Sequence, residues 1–252
     1  MSVDKTGPAG NDGAMANSHH LAVTQRPPDK PAAAGEAPTA TTDLLPRRGN
    51  GVSRWLASML LRLLGWRVVG QPANVPKAVI IGGPHTSNWD GIFTLAAMMQ
   101  LQLDARVMIK DSAFRWPLGG LLRWLGALPV ARNSASDVVG QTVAQFHQHE
   151  KMAIIVSPEG TRAGASQWKT GFWRIAKAAG VPVIIATADY RKKEISFVGL
   201  LEPGEDMQAD MDRVLAWFRD VEPRHPARLS APLAALRRSA EKSPDKEKSP
   251  EK

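Results

Sequence analysis

Between residues 78 and 218, short aliphatic runs alternate with longer amphipathic stretches, and this alternation constrains the fold more than any other feature of the chain. The runs Ala78–Ile81, Arg106–Ile109, Ala127–Ala131, Met152–Val156, Val181–Ala186 and Ile195–Val198 are bounded by turn-forming or charged residues and read as buried strands. Trp89–Leu101, Ser136–Glu150, Thr170–Ala179 and Met207–Phe218 show helical spacing. Val138, Val139, Thr142, Val143 and Phe146 share one side of the second, and Gly180 ends the third. Strands alternating with helices predict a single α/β domain, a largely parallel mixed sheet flanked by helices. In such sheets, sites collect beyond the C-terminal ends of the strands.

The ends of the chain do not share this pattern. Residues 1–50 hold Pro27, Pro28, Pro31, Pro38 and Pro46 among Ala, Gly and Thr with no apolar periodicity. Such a stretch cannot bury enough surface to offset the entropy of ordering, so a disordered tail is expected there. The polar tract at 241–252, with its repeated Lys-Ser-Pro, is expected to behave likewise, leaving 51–240 as the folded domain.

Charge separates along the same boundaries. The chain has 32 Lys and Arg against 24 Asp and Glu. Residues 1–50 contain five of each sign and residues 241–252 four of each, so the whole excess of +8 sits on 51–240. A basic folded domain suits anionic partners: nucleic acid, an anionic membrane surface, or a phosphorylated or carrier-bound substrate. Cysteine is absent, which excludes disulfides, thiolate metal sites and a thiol nucleophile. No run approaches the roughly 20 apolar residues that span a bilayer, and the N-terminus lacks a signal-peptide pattern. The expectation is a cytoplasmic protein, peripheral on the inner face of the membrane.

Two segments have membrane-facing character. In Arg54–Leu64, Trp55, Leu56, Met59, Leu60, Leu63 and Leu64 recur at helical spacing, with Arg54, Ser58 and Arg62 opposite. Phe114–Leu125 mixes Phe114, Trp116 and Trp124 with leucines and with Arg115 and Arg123. Either stretch equally fits packing on its own domain. Eight Trp against one Tyr favour the membrane, because Trp prefers the bilayer interface.

Chemistry concentrates in two runs. His85 follows the strand Ala78–Ile81 through Gly82-Gly83-Pro84, and Asp90 opens the next helix. Across such a corner the carboxylate can accept from one imidazole nitrogen and leave the other facing a cleft, which makes His85 a candidate general base. No Gly-x-Ser-x-Gly elbow is present, so a substrate hydroxyl is the natural nucleophile. A turn histidine beside a helix-capping aspartate fits the same spacing. The second run, Ser157-Pro158-Glu159-Gly160-Thr161-Arg162, follows the strand Met152–Val156. A turn with exposed N–H groups and an arginine suits a phosphate, and Glu159 is placed to hold a hydroxyl or to orient Arg162.

Together the runs resemble the glycerolipid acyltransferase family, that of the 1-acyl-glycerol-3-phosphate acyltransferases. His85–Asp90 matches the family's first block and Pro158–Arg162 its third. The second block is similar to Gly126–Arg132, although Ala131 stands where an acidic residue is common. The fourth is similar to Val181-Pro182-Val183-Ile184, with Ile185 in place of a second proline. Trp168-Lys169-Thr170-Gly171 stands where the family carries Phe, Lys and Gly. The resemblance spans roughly residues 53–200.

The resemblance implies a glycerol-phosphate acyltransferase-like fold and transfer of a fatty acyl group from acyl-CoA or acyl carrier protein to a lysophospholipid-like acceptor, by default lysophosphatidic acid. His85 and Asp90 would be catalytic. Glu159, Gly160, Thr161, Arg162, Arg132 and Lys169 would bind the acceptor, and the fourth block would face the acyl group. No cofactor, metal or nucleic acid is expected. A thioesterase using water, or a non-catalytic basic membrane-binding module, are the alternatives. His147 and His149 point different ways on one helix and receive no role, like His19, His20 and His225.

Overall fold

In the computed structural model, the described residues are 43–115, 117, 119, 120, 126–130 and 135–241. They form one seven-stranded sheet. Its strands are β1 (Arg67–Val69), β2 (Lys77–Gly83), β3 (Ala105–Lys110), β4 (Ala127–Val130), β5 (Met152–Val156), β6 (Val183–Asp189) and β7 (Glu194–Leu201). The order is β1-β7-β6-β2-β5-β3-β4. All neighbours pair in parallel except β6 and β7, which form an antiparallel hairpin. The expected α/β architecture with a largely parallel mixed sheet is therefore present. β2 and β6 at its centre are almost wholly buried, which is why they read as unbroken aliphatic runs rather than alternating ones.

The helices are α1 (Gly51–Leu63), α2 (Asn88–Gln100), α3 (Ala135–Gln148), α4 (Gly171–Ala179), α5 (Met207–Phe218) and α6 (Ala231–Glu241). Val79, Ile81, Ile154, Val183 and Ile185 meet Phe146, Phe172, Ile175 and Phe218 in the largest apolar cluster. Ala78, Ile80, Ala153 and Ile184 alternate with them and join a second cluster with Met98 and Leu103. This alternation along each strand puts one apolar set in each cluster.

Two features depart from the sequence expectations. The folded part begins before residue 51: Leu45 is buried, the Asp104 N–H donates to the Pro46 carbonyl and the Arg48 N–H to the Gln102 carbonyl. One apolar anchor and a few backbone bonds fix this proline-containing segment without any periodicity that a sequence scan would catch. The short edge strand β1 and the helix α6 also went unpredicted. β1 has only three residues, and α6 buries only Leu233.

Helix α1 packs on α2 through the buried Ala57 and Leu61. Trp55, Leu56, Met59, Leu60 and Leu63 remain exposed, and Trp89 and Ile92 on α2 are exposed too. The apolar face read as membrane-facing is thus mostly turned away from the domain. Most of Phe114–Leu125 lies outside the described residues. Among the described residues, no helix is long and apolar enough to cross a membrane.

Candidate active site

Strand register brings three turns together. Ile81 pairs with Val156, and Gly83 pairs with Thr187, so the chain leaves β5, β2 and β6 side by side at one edge of the sheet. His85, Glu159 and Tyr190 each lie two or three residues past those pairs.

The His85 turn is built by the start of α2. Ser87 is the N-cap in extended conformation (φ −147°, ψ 157°), and its hydroxyl accepts from the Trp89 N–H at 3.2 Å. Asp90, at the third helical position, completes a capping box by accepting at Oδ2 from the N–H groups of Thr86 and Ser87, both at 2.8 Å. His85 Nδ1 stands 3.3 Å from the same oxygen, and the Tyr190 hydroxyl donates to Oδ1. The carboxylate is therefore held at both ends. A carboxylate partner makes Nδ1 the donor and leaves Nε2 as an acceptor. Burial pushes the Asp90 carboxyl up, but the bonds from His85, Tyr190, Ser87 and Thr86 together outweigh it and hold the group below its ordinary value.

Glu159 turns inward rather than toward Arg162. It is buried, with 2 % of its surface exposed, and makes no ion pair with Arg162. Its Oε2 accepts from the His85 backbone N–H at 2.8 Å. Its Oε1 has no hydrogen-bond partner among the described residues. A buried carboxylate with half its acceptor capacity idle is poorly solvated, so burial, assisted by the nearby Asp90 charge, pushes it up to about 7 despite the opposing pull of His85 and Ser230. Glu159 thus supports the backbone of the turn that carries His85.

The rest of the second turn faces outward. Gly160, Thr161, Arg162 and Lys169 are exposed. Gly160 has φ +64°, and a Cβ there would lie 2.8 Å from Lys169 Cε, so the glycine lets the lysine fold across the turn. Arg162 and Lys169 line a cavity of about 1890 Å³ together with His85 and Asp90. Arg174 on α4 and Arg228 line it too. None of these four cations forms an ion pair among the described residues. The same cavity has an apolar wall that includes Ile80, Met98, Leu103, Ile155 and Phe197.

Two sequence-predicted elements stand apart. Arg132 lies outside the described residues. Val181, Val183 and Ile184 of the fourth block are buried in the apolar clusters, and the cavity wall is reached only further along β6, at Ala186, Thr187 and Ala188.

Sequence reasoning missed the segment after α5. The His225 N–H donates to Thr86 Oγ1 at 3.2 Å, Trp168 Nε1 donates to Ser230 Oγ at 2.8 Å, and the Ala231 N–H donates to the Ala165 carbonyl at 2.8 Å. This segment ties both turns together and carries Arg228. It also carries Arg224, whose guanidinium lies over the rings of Trp89 and Tyr190 at 5.5 and 5.9 Å. Tyr190 had one signal, as the chain's single tyrosine placed just past a strand.

A half-buried histidine with a carboxylate beside Nδ1 thus stands at a cavity that has an apolar wall and a cationic rim. The sequence profile of the Acyltransferase family matches residues 67–187, from β1 into β6 and including both turns. Residues 67–187 are an acyltransferase-family domain. Among solved structures, the chain is similar to the crystal structure of the 1-acyl-sn-glycerophosphate (LPA) acyltransferase PlsC from Thermotoga maritima. The identity is 14 %, the match covers 65 % of this chain and 75 % of that one, and the TM-score is 0.47. No curated protein sequence matches this chain.

Proposed function

We propose that the protein transfers a fatty acyl group from an acyl thioester, acyl-CoA or acyl carrier protein, to the free hydroxyl of a lysophospholipid-like acceptor, with lysophosphatidic acid as the default. The single observation carrying this reading is His85 Nδ1 at 3.3 Å from a fully anchored Asp90, at a cavity shared with Arg162, Lys169, Arg174 and Arg228. His85 Nε2 takes the hydroxyl proton as the oxygen attacks the thioester carbonyl. The tetrahedral intermediate collapses by breaking the C–S bond, and the thiolate leaves with the proton that His85 returns. Asp90 stabilises the imidazolium between those events. The cations hold the acceptor phosphate and so position its hydroxyl, while the apolar wall takes acyl chain.

In this reading the outward face of α1 rests on an anionic membrane surface at the inner face of the cytoplasmic membrane. Its exposed Trp55, Leu56 and Leu63 enter the interface while Arg54 and Arg62 meet lipid head groups. Because α1 packs on α2, which contributes Gly91, Thr94 and Leu95 to the cavity, a lipid acceptor has a short path to the site.

The test is incubation of the purified protein with labelled acyl-CoA or acyl carrier protein against a panel of lysolipids, with His85→Ala as control. Acyl transfer that requires the acceptor and is lost in the control is the expected result. Thiol release without any acceptor, or vesicle binding without transfer from either donor, overturns the reading.

A further inference from the structure

The Asp90 carboxylate is held asymmetrically. Its Oδ2 receives the N–H groups of Thr86 and Ser87 and faces His85 Nδ1. Its Oδ1 receives a single donor among the described residues, the Tyr190 hydroxyl. Tyr190 is itself fixed in place by aromatic neighbours: its ring meets Trp66 edge-on at 4.8 Å and Phe93 at 6.0 Å, with Arg224 over its face. The Tyr190 N–H also donates to the Glu222 carbonyl at 2.9 Å. Tyr190, Arg224 and Glu222 all lie beyond the residues matched by the family profile.

We propose that Tyr190 is a positioning residue that acts through Asp90 on His85, fixing the plane of the carboxylate and drawing off part of its charge. A carboxylate gripped only at Oδ2 can turn about its Cβ–Cγ bond; a donor on Oδ1 stops that rotation and keeps Oδ2 against the imidazole. A donor on Oδ1 also spreads the negative charge away from Oδ2. The imidazolium is then stabilised less tightly. Burial, then the bond to Asp90 and the Asp90 charge, push the Tyr190 phenol far above its ordinary value, so it stays a donor throughout the working range.

The other titratable or charged groups around the trio are Glu159 at the His85 backbone, Arg224 over the Tyr190 ring, His225 beside Thr86, and Arg162, Lys169, Arg174 and Arg228 around the cavity. Removing one hydroxyl leaves all of them in place. The inference bears on the proposed acyl transfer, in which His85 is the base, but the geometry on which it stands does not depend on that reading.

Tyr190→Phe keeps the ring and its packing and removes only the donor. The His85 ring is followed by NMR titration, its signals identified by their loss in His85→Asn. In Tyr190→Phe the ring titrates higher by about half a pH unit or more. In the transfer assay the acid limb of kcat/KM moves up in the same direction. kcat falls by about tenfold, as for loss of a hydrogen bond to a charged group, while the acceptor KM changes by less than about twofold. A His85 titration identical in the two proteins overturns the proposal.

Because Tyr190 is the only tyrosine, growth on fluorotyrosine replaces this hydroxyl alone with a stronger donor, and the His85 ring then titrates lower than in the unaltered protein. An unmoved titration there also overturns the proposal, even if Tyr190→Phe does not fold. Opposite shifts in the two proteins without any acyl transfer uphold the positioning role and remove the proposed function instead.

Discussion

The turns that follow β2 and β5 leave the sheet side by side, yet they treat their polar groups in opposite ways. In the first, Thr86, Ser87 and Asp90 are buried, and the Asp90 carboxylate has donors on both oxygens. In the second, Thr161, Arg162 and Lys169 are exposed and line the cavity; Thr161 Oγ1 accepts from the Ala163 N–H, and neither cation forms an ion pair among the described residues. Glu159 is the exception that joins them: it sits in the second turn but is buried and supports the first through the His85 N–H. In the proposed reaction the contrast separates two tasks. A base must be held in one geometry before substrate arrives, whereas groups that bind an anion do better left solvated and mobile until it does.

The comparison breaks most visibly at His85. His85→Ala removes the proton acceptor but leaves three donors on Asp90, so transfer falls by about a thousandfold or more while the thermal midpoint stays within a few degrees. A variant that still transfers at the original rate would put the base elsewhere.

Glu159 gives the next effect, and it is one of stability against pH. Its folded value is raised to about 7 from 4.5. Between these pH values the unfolded chain has lost a proton that the native protein keeps. Stability therefore falls as pH rises across that window, by at most roughly 3 kcal/mol, and is flat on either side. Asp90 acts in a separate range: its folded value is lowered, so its contribution is present above its ordinary value of 3.8 and is lost as pH falls through the lower folded one. Glu159→Gln should abolish the slope between pH 4.5 and 7 and leave the acid limb below it. Urea denaturation of both proteins across that range would show whether the slope survives.

The contrast between the turns also explains what could be read from the sequence. His85, Asp90 and the Pro158–Arg162 run were legible because strand, turn and chemistry fall in one local stretch, and the helix start that seats Asp90 is a capping box written in consecutive residues. The central strands were legible because burial on both faces makes them continuously aliphatic. Tyr190, Arg224 and Arg228 were not legible. They join the site through a strand pairing and a return of the chain from beyond α5, contacts separated by 100 residues or more from Asp90 and Thr86. The burial of Glu159 was not legible for the same reason. Its partner is the His85 N–H, 74 positions away, and nothing in its own turn marks it as buried.

The outward-facing side of the comparison is sharpened by smaller effects. Arg162→Ala should raise the acceptor concentration needed for half-maximal rate by about tenfold, with kcat changed much less, and should leave stability within about 0.5 kcal/mol because the side chain is exposed. An equal loss in kcat would mean that Arg162 acts on the transition state and not in binding. Gly160→Ala tests whether the second turn needs its shape or only its charges. The position has φ +64°, and the added Cβ would meet only the far end of a flexible side chain, Lys169 Cε at 2.8 Å and Nζ at 3.0 Å. Lys169 can swing aside, so the cost is mainly that of the left-handed backbone, about 1 kcal/mol. The thermal midpoint should drop by a few degrees, and acceptor binding should weaken only as far as Lys169 contributes to it. If Lys169→Ala weakens the acceptor by the same factor and the double variant by no more, the glycine serves to place the lysine, and the two residues form one element of the phosphate site.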